Sequence, residues 1–174
     1  VHTNTELTPH RDDYRIAYFA ALAIVIHVLE SALPSPVPGV KPGFANIITI
    51  IVLCRYGWRL AAWVSLLRVV AGSMVLGTFL SPTFLMSLTG ATVSITVLGL
   101  MYRMPGARFS AVGYSLLAAM GHISGQFLMA YTLLIPHPGL WRLYPVLMTA
   151  AVILGLINGI ISSRIVQRMQ VART

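Results

Sequence analysis

Six apolar runs, parted by short polar or Pro/Gly breaks, leave lipid as the solvent this chain is built for. A transmembrane helix needs about 20 mostly apolar residues. The runs cover roughly 15–33, 43–55, 58–80, 83–102, 109–134 and 141–166. The second, about 12 residues long, is too short to cross alone and relies on the segment before it for the remaining depth. Breaks fall at Tyr56-Gly57, Ser81-Pro82, Met104-Pro105-Gly106 and Pro136-His137-Pro138-Gly139. With 57% hydrophobic and 9% charged residues in 174, a soluble domain has too little interior to hide the apolar surface. The expected fold is an all-α integral membrane bundle of six transmembrane helices. A polar tail (1–14) precedes the membrane domain (15–167), and a basic tail (168–174) follows it.

The charges predict an orientation. In this topology one side carries Arg11, Arg15, Arg55, Arg59, Arg103, Arg108, Arg164, Arg168 and Arg173. The other carries Lys41 and Arg142. The positive-inside rule then places both termini in the cytoplasm and the protein in the cytoplasmic (inner) membrane. The net charge of +8 comes from basic residues scattered singly between apolar runs, with no basic stripe for nucleic acid. They read as topology signals and headgroup contacts. The single cysteine, Cys54, excludes an internal disulfide and a Cys-based metal cluster. The first dozen residues are polar and include Glu6, Asp12 and Asp13, unlike a secretory signal peptide.

Three polar residues inside spans need an explanation. An ionised group near the bilayer centre costs roughly 2.5–3.5 kcal/mol on insertion scales, so Glu30, Arg68 and His122 are expected to face the bundle interior. His27 lies one turn before Glu30, and Gln126 one turn after His122. Spans one, three and five run in the same direction, so these side chains are expected to converge in one half of the bundle. Two readings compete: a buried Glu30–Arg68 ion pair that fixes packing, and a polar pocket for a ligand. A metal site from His27, Glu30 and His122 is the weaker alternative, since such ligands meet too easily by chance. Asn46, Ser87 and Asn158 read first as helix–helix hydrogen-bonding groups. Small residues four apart, Gly121/Gly125 and Gly155/Gly159, read as internal packing; Ala17/Ala21 on span one reads as a docking face for a partner helix. No catalytic residues, phosphate-cradling Gly loop, ATP-binding motif or acidic cluster is visible, so neither an enzyme nor an intrinsic cofactor is expected.

Glu30-Ser-Ala-Leu-Pro-Ser-Pro-Val-Pro-Gly-Val-Lys-Pro-Gly-Phe-Ala-Asn46 joins the first two runs. Its prolines and glycines exclude helix and favour a defined irregular backbone beside a cavity. Pro34, Ser35, Pro36, Pro38, Gly39 and Gly43 are the expected binding loop. Glu30, Lys41, Asn46, Arg68, His122 and Gln126 are the expected ligand-binding residues, with Arg68 and Lys41 holding an anionic or carbonyl group.

This segment resembles the signature of the Gx transporter family, also labelled heptaprenyl diphosphate synthase component I. The resemblance continues through Leu67-Arg68-Val-Val-Ala-Gly72, Gly77-Thr78, Ser87-Leu-Thr-Gly90, Gly113-Tyr-Ser115 and His122-Ile-Ser-Gly-Gln126. It covers roughly residues 15–165, the bulk of what a bundle of this kind spans. Two positions depart: Ile123 stands where the family usually has Asn, and Ala118 where it often has Gly. The family is similar to the substrate-binding S components of energy-coupling-factor transporters. The resemblance thus implies a six-helix S-component-like fold, an outward-facing pocket and docking through Ala17 and Ala21. It implies uptake of a vitamin-like, flavin or isoprenoid/quinone-linked molecule, with a coupling transmembrane subunit and ATPases as partners. Its other label implies a non-catalytic component working with a soluble prenyl synthase in making the menaquinone side chain. A third implied role is accessory subunit of a membrane flavin/quinone redox system.

Overall fold

The computed structural model describes residues 11–32, 43–104 and 109–171. Among these residues six α-helices run α1 (Arg11–Ala32), α2 (Ala45–Tyr56), α3 (Trp58–Val75), α4 (Pro82–Arg103), α5 (Ala111–Met129) and α6 (Tyr144–Val171). The protein is an all-α, multi-spanning, membrane-associated bundle. Among the described residues four stretches are long and apolar enough to cross a membrane: Arg11–Ala32, Trp58–Val75, Pro82–Arg103 and Pro138–Val171. At 12 residues α2 is short, as its apolar run requires. At 19 residues α5 is long enough, but His122, Gln126 and two serines dilute its apolar character.

Local chemistry sets the ends. Gly57 takes φ +92° between α2 and α3, a left-handed region open to glycine at little cost. Ser81 caps α4 by accepting from the Phe84 amide at 3.3 Å, with Pro82 in the first turn, and Ser110 caps α5 through the Gly113 amide at 3.2 Å. Helix α1 is already formed at Arg11, the first described residue and four residues before its apolar run, and there Arg15 bridges to Asp12 at 2.9 Å. At the other extreme α6 continues past the apolar run, with exposed Arg168, as far as Val171, the last described residue. Helix α3 stops at Val75, short of the expected 80, where a turn with Gly77 at φ +67° reverses the chain. The fifth run continues from α5 into a π-helical turn, Ala130–Leu134, and a 3-10 turn at Pro138–Arg142 leads into α6.

The helices pack as an open arc. Helix α1 packs on α3, α3 on α4, α4 on α5 and α5 on α6. Helix α2 sits inside this arc and touches α1, α3, α5 and α6. Among the described elements, α1 and α6 have no extended contact of their own; α2 fills the space between them. Close approach depends on the small residues. A Cβ built on Gly155 would fall 3.0 Å from Ala119 Cβ, and one on Gly159 only 2.7 Å from Val112 Cα, so α6 lies directly on α5. Internal packing is therefore what both Gly pairs do. Ala17 and Ala21, by contrast, are exposed on α1.

The basic residues gather where α1 begins and α6 ends. There Arg15 lies over the Tyr56 ring at 4.9 Å, and Arg103 over Trp58 at 5.2 Å. Trp58 also donates its indole N–H to the Ile95 carbonyl at 2.7 Å and packs flat enough on Gly99 that a Cβ there would meet Nε1 at 2.6 Å. Trp58→Phe keeps the ring and loses the hydrogen bond and part of the cation–π contact. It should lower stability by about 1–2 kcal/mol, read as thermal unfolding in detergent. An unchanged midpoint would show that this end is held by apolar contact alone.

Candidate functional site

A central helix of 12 residues is about 18 Å long, whereas the hydrocarbon core is about 30 Å thick. Since α2 reaches the basic end, it leaves the opposite half of the arc unfilled. That space is a cavity of about 580 Å³, the size of a small-molecule site. Its floor is the first turn of α2. Its walls come from α1, α3, α4, α5 and α6.

Three helices hold that first turn with polar side chains. Glu30 of α1, 5% exposed, accepts from the Phe44 amide at 2.7 Å and the Ala45 amide at 3.5 Å. A carboxylate on the unpaired N–H groups at a helix start satisfies both partners. Arg68 of α3, also 5% exposed, donates from Nη1 to Asn46 Oδ1 at 2.9 Å. Asn158 of α6 donates from Nδ2 to the Gly43 carbonyl at 3.3 Å. Of the two competing readings, the Glu30–Arg68 ion pair is the one corrected here: the two side chains grip neighbouring groups of α2 instead of each other. Their charges still interact through space.

Arg68 is left under-used. Its Nε is buried and finds no hydrogen-bond partner among the described residues. A guanidinium has five N–H donors and no acceptor, so each unmatched one carries a desolvation cost.

The cavity wall brings together Glu30, Asn46, Arg68, His122 and Gln126, together with His27 and Gly43. His27 packs against α3 where a Cβ on Gly72 would come within 2.9 Å of its ring. Gly90 makes the same kind of room on α4: a Cβ there would meet Gln126 Cγ at 2.8 Å and His122 Cε1 at 3.0 Å. Lys41, Pro34, Ser35, Pro36, Pro38 and Gly39 lie outside the described residues. Among the described residues no group of three or more His, Cys, Asp or Glu side chains is arranged to hold a metal. The sequence reading missed the α6 wall. Leu147, Ala151, Leu154, Gly155 and Asn158 all line the cavity. They recur at i, i+4, i+7, i+8 and i+11, the spacing of one helix face, and the lone Asn158 in that face was the available signal.

A family profile described as heptaprenyl diphosphate synthase component I matches residues 19–165. The chain belongs to that family. No curated protein and no solved structure matches it. The matched span holds every described side chain of the cavity, from His27 to Asn158. As a member of the component I family, the chain is a membrane-associated accessory protein, not a catalyst.

Proposed function

We propose that this chain is a non-catalytic membrane component that holds a small amphipathic molecule in its cavity, the acceptor group on Arg68 and the apolar body against α4, α5 and α6. The observation that carries this reading is the buried guanidinium on the cavity floor with a donor unmatched among the described residues. Glu30 is already hydrogen-bonded by α2, so a ligand phosphate, carboxylate or carbonyl shares Arg68 with Asn46 alone among the described hydrogen-bond partners. Apolar side chains such as Val69, Phe84, Leu147 and Leu154 supply the rest of the wall. Lys41 would add a second cation. The family description makes a prenyl compound with a phosphate head the leading ligand, and a soluble prenyl synthase the leading partner.

A second reading, solute uptake by an S-component-like six-span protein, draws on the position of the cavity. The positive-inside rule puts the basic end in the cytoplasm, with both termini, so the cavity lies in the outer half. Ala17 and Ala21 are exposed on α1, where a coupling subunit would dock, with ATPases beyond it. A vitamin or flavin ligand belongs to this reading.

The test is mass spectrometry of small molecules that co-purify in mild detergent, comparing the parent with Arg68→Leu. The expected result is a phosphorylated or carbonyl-bearing compound in the parent, at least about tenfold depleted in the variant. A prenyl phosphate would favour the accessory reading, and a vitamin or flavin the uptake reading. Equal occupancy in parent and variant would overturn the assignment of the site to Arg68.

A further inference from the structure

We infer that the head of the bound molecule carries two groups: the acceptor held by Arg68, and beside it a neutral group that both donates and accepts hydrogen bonds, read by Ser87 and Gln126. A hydroxyl is the smallest such group. The inference rests on the proposed binding role of Arg68 and adds a second contact and a ligand class to it. Both residues line the cavity, Ser87 from α4 and Gln126 from α5. Among the described residues neither side chain takes part in a hydrogen bond. Thr89, Thr92 and Thr96 of α4 turn their hydroxyls back to carbonyls of the preceding turn, at 2.8 Å each, the usual way a helix matches such a group. Ser87 does not, and its hydroxyl is left for the cavity. Gly90, one turn on from Ser87, brings Gln126 over α4: a Cβ there would meet Gln126 Cγ at 2.8 Å. His122, on the same face of α5 as Gln126, feels the charge of Arg68. Arg68, Ser87 and Gln126 thus open on one cavity of about 580 Å³, a space that one small head group can span.

The chemistry of this wall selects a neutral group. A glutamine amide sets N–H donors beside a carbonyl acceptor, and a serine hydroxyl both donates and accepts. A ligand hydroxyl is matched in kind to each. An ammonium is not: among the described residues no carboxylate lines the cavity from α4 or α5, and Glu30 is held by the Phe44 and Ala45 amides. A second anion fares no better, since neither helix brings Lys or Arg to the described wall. Hydrocarbon is the poorest fit. Laid over Ser87 and Gln126, it takes water from two polar groups and returns no hydrogen bond. A site whose own polar groups go unmatched rejects the analogue that lacks the partner group. The apolar part of the molecule has Phe84, Leu147 and Leu154 elsewhere on the same wall.

The experiment measures binding of soluble probes to the full chain in mild detergent by isothermal titration calorimetry. The probes are hexyl phosphate, the same compound with a hydroxyl on its second carbon, and the methyl ether of that hydroxyl. The parent should bind the hydroxyl compound about tenfold more tightly than hexyl phosphate, with the ether, which keeps an acceptor and loses the donor, in between. Ser87→Ala and Gln126→Met should each bring that ratio to about twofold or less. Taking the ratio within one variant cancels any general loss of affinity. Gln126→Leu repeats the test if Gln126→Met misfolds. Arg68→Leu should weaken hexyl phosphate and the hydroxyl compound alike, by at least about tenfold. Thr92→Ala, on the exposed side of α4 and outside the cavity wall, should keep the ratio of the parent. A parent ratio near one, or a ratio that survives in either the Ser87 or the Gln126 variant, would overturn the second contact and leave the Arg68 reading standing. No binding of any probe by the parent would overturn the Arg68 reading, and the second contact with it.

Discussion

Glu30→Leu is expected to lower stability by about 3–5 kcal/mol in detergent, whereas Glu30→Gln should cost only about 1–2 kcal/mol. The carboxylate has two roles, and Leu removes both. It accepts from the first amides of α2, at 2.7 and 3.5 Å, which otherwise stay buried without a partner. It is also the negative charge that faces buried Arg68 across the cavity floor. Removing one buried charge leaves the other uncompensated, which is the costly case. Gln keeps an oxygen on the Phe44 amide and forfeits only the charge. The double substitution Glu30→Leu/Arg68→Leu should be less damaging than the sum of its parts, with a coupling of about 1–3 kcal/mol, because it leaves no lone ion. Thermal unfolding of the four proteins gives all the terms. Strict additivity would mean that Glu30 acts only as a helix cap and that Arg68 is neutralised some other way. The same four proteins separate structure from function: if binding or partner activity survives in the double variant, the polar cluster is a packing device.

Much of this fold could be read from composition and punctuation. The apolar runs located all six helices because burying backbone in lipid forces helical hydrogen bonding, and Gly57 and Ser81-Pro82 marked ends that the backbone then used. The shortness of α2 followed from counting. Its consequence did not: a short central helix leaves a cavity only if its neighbours close round it, which depends on which helices touch. The partner choice of Glu30 was hidden for a related reason. Sequence places Glu30 toward the end of span one and Arg68 midway along span three, and opposite charges in one part of a bundle suggest a pair. The amides at Phe44 and Ala45 win Glu30 because a helix N-terminus brings several donors together, and no sequence pattern marks where that terminus points. Arg68 donates instead to the side chain of Asn46, the residue after Ala45. The extra helical turns of α1 and α6 were missed because hydropathy reports the apolar stretch, not the helix, and charged turns at Asp12, Asp13 and Arg168 stay helical beyond it.

The two glycines of α5 look equivalent in sequence, and the structure predicts that they behave oppositely. A Cβ on Gly121 would sit 3.4 Å from Ser94 Cα and Val97 Cγ2, an ordinary contact. Gly121→Ala should therefore be neutral or stabilising by up to about 1 kcal/mol, since Ala is the better helix former. A Cβ on Gly125 would sit 2.7 Å from the Thr89 carbonyl oxygen and 3.0 Å from Gly90 Cα. Both obstacles are backbone, which no rotamer change can clear. Gly125→Ala must push α4 and α5 apart, at about 1–3 kcal/mol, and Gly125→Leu should cost more still. The displacement also reaches the cavity. His122 and Gln126 flank Gly125 on α5 and pack on Gly90 of α4, so separating the helices there moves two polar groups of the wall together. Gly125→Ala should thus weaken ligand retention at a temperature where the variant is still folded, and Gly121→Ala should not. Unfolding midpoints and ligand content of both variants, measured side by side, check this. Equal shifts at the two positions would mean that α4 and α5 slide past one another more freely than their backbone contact allows.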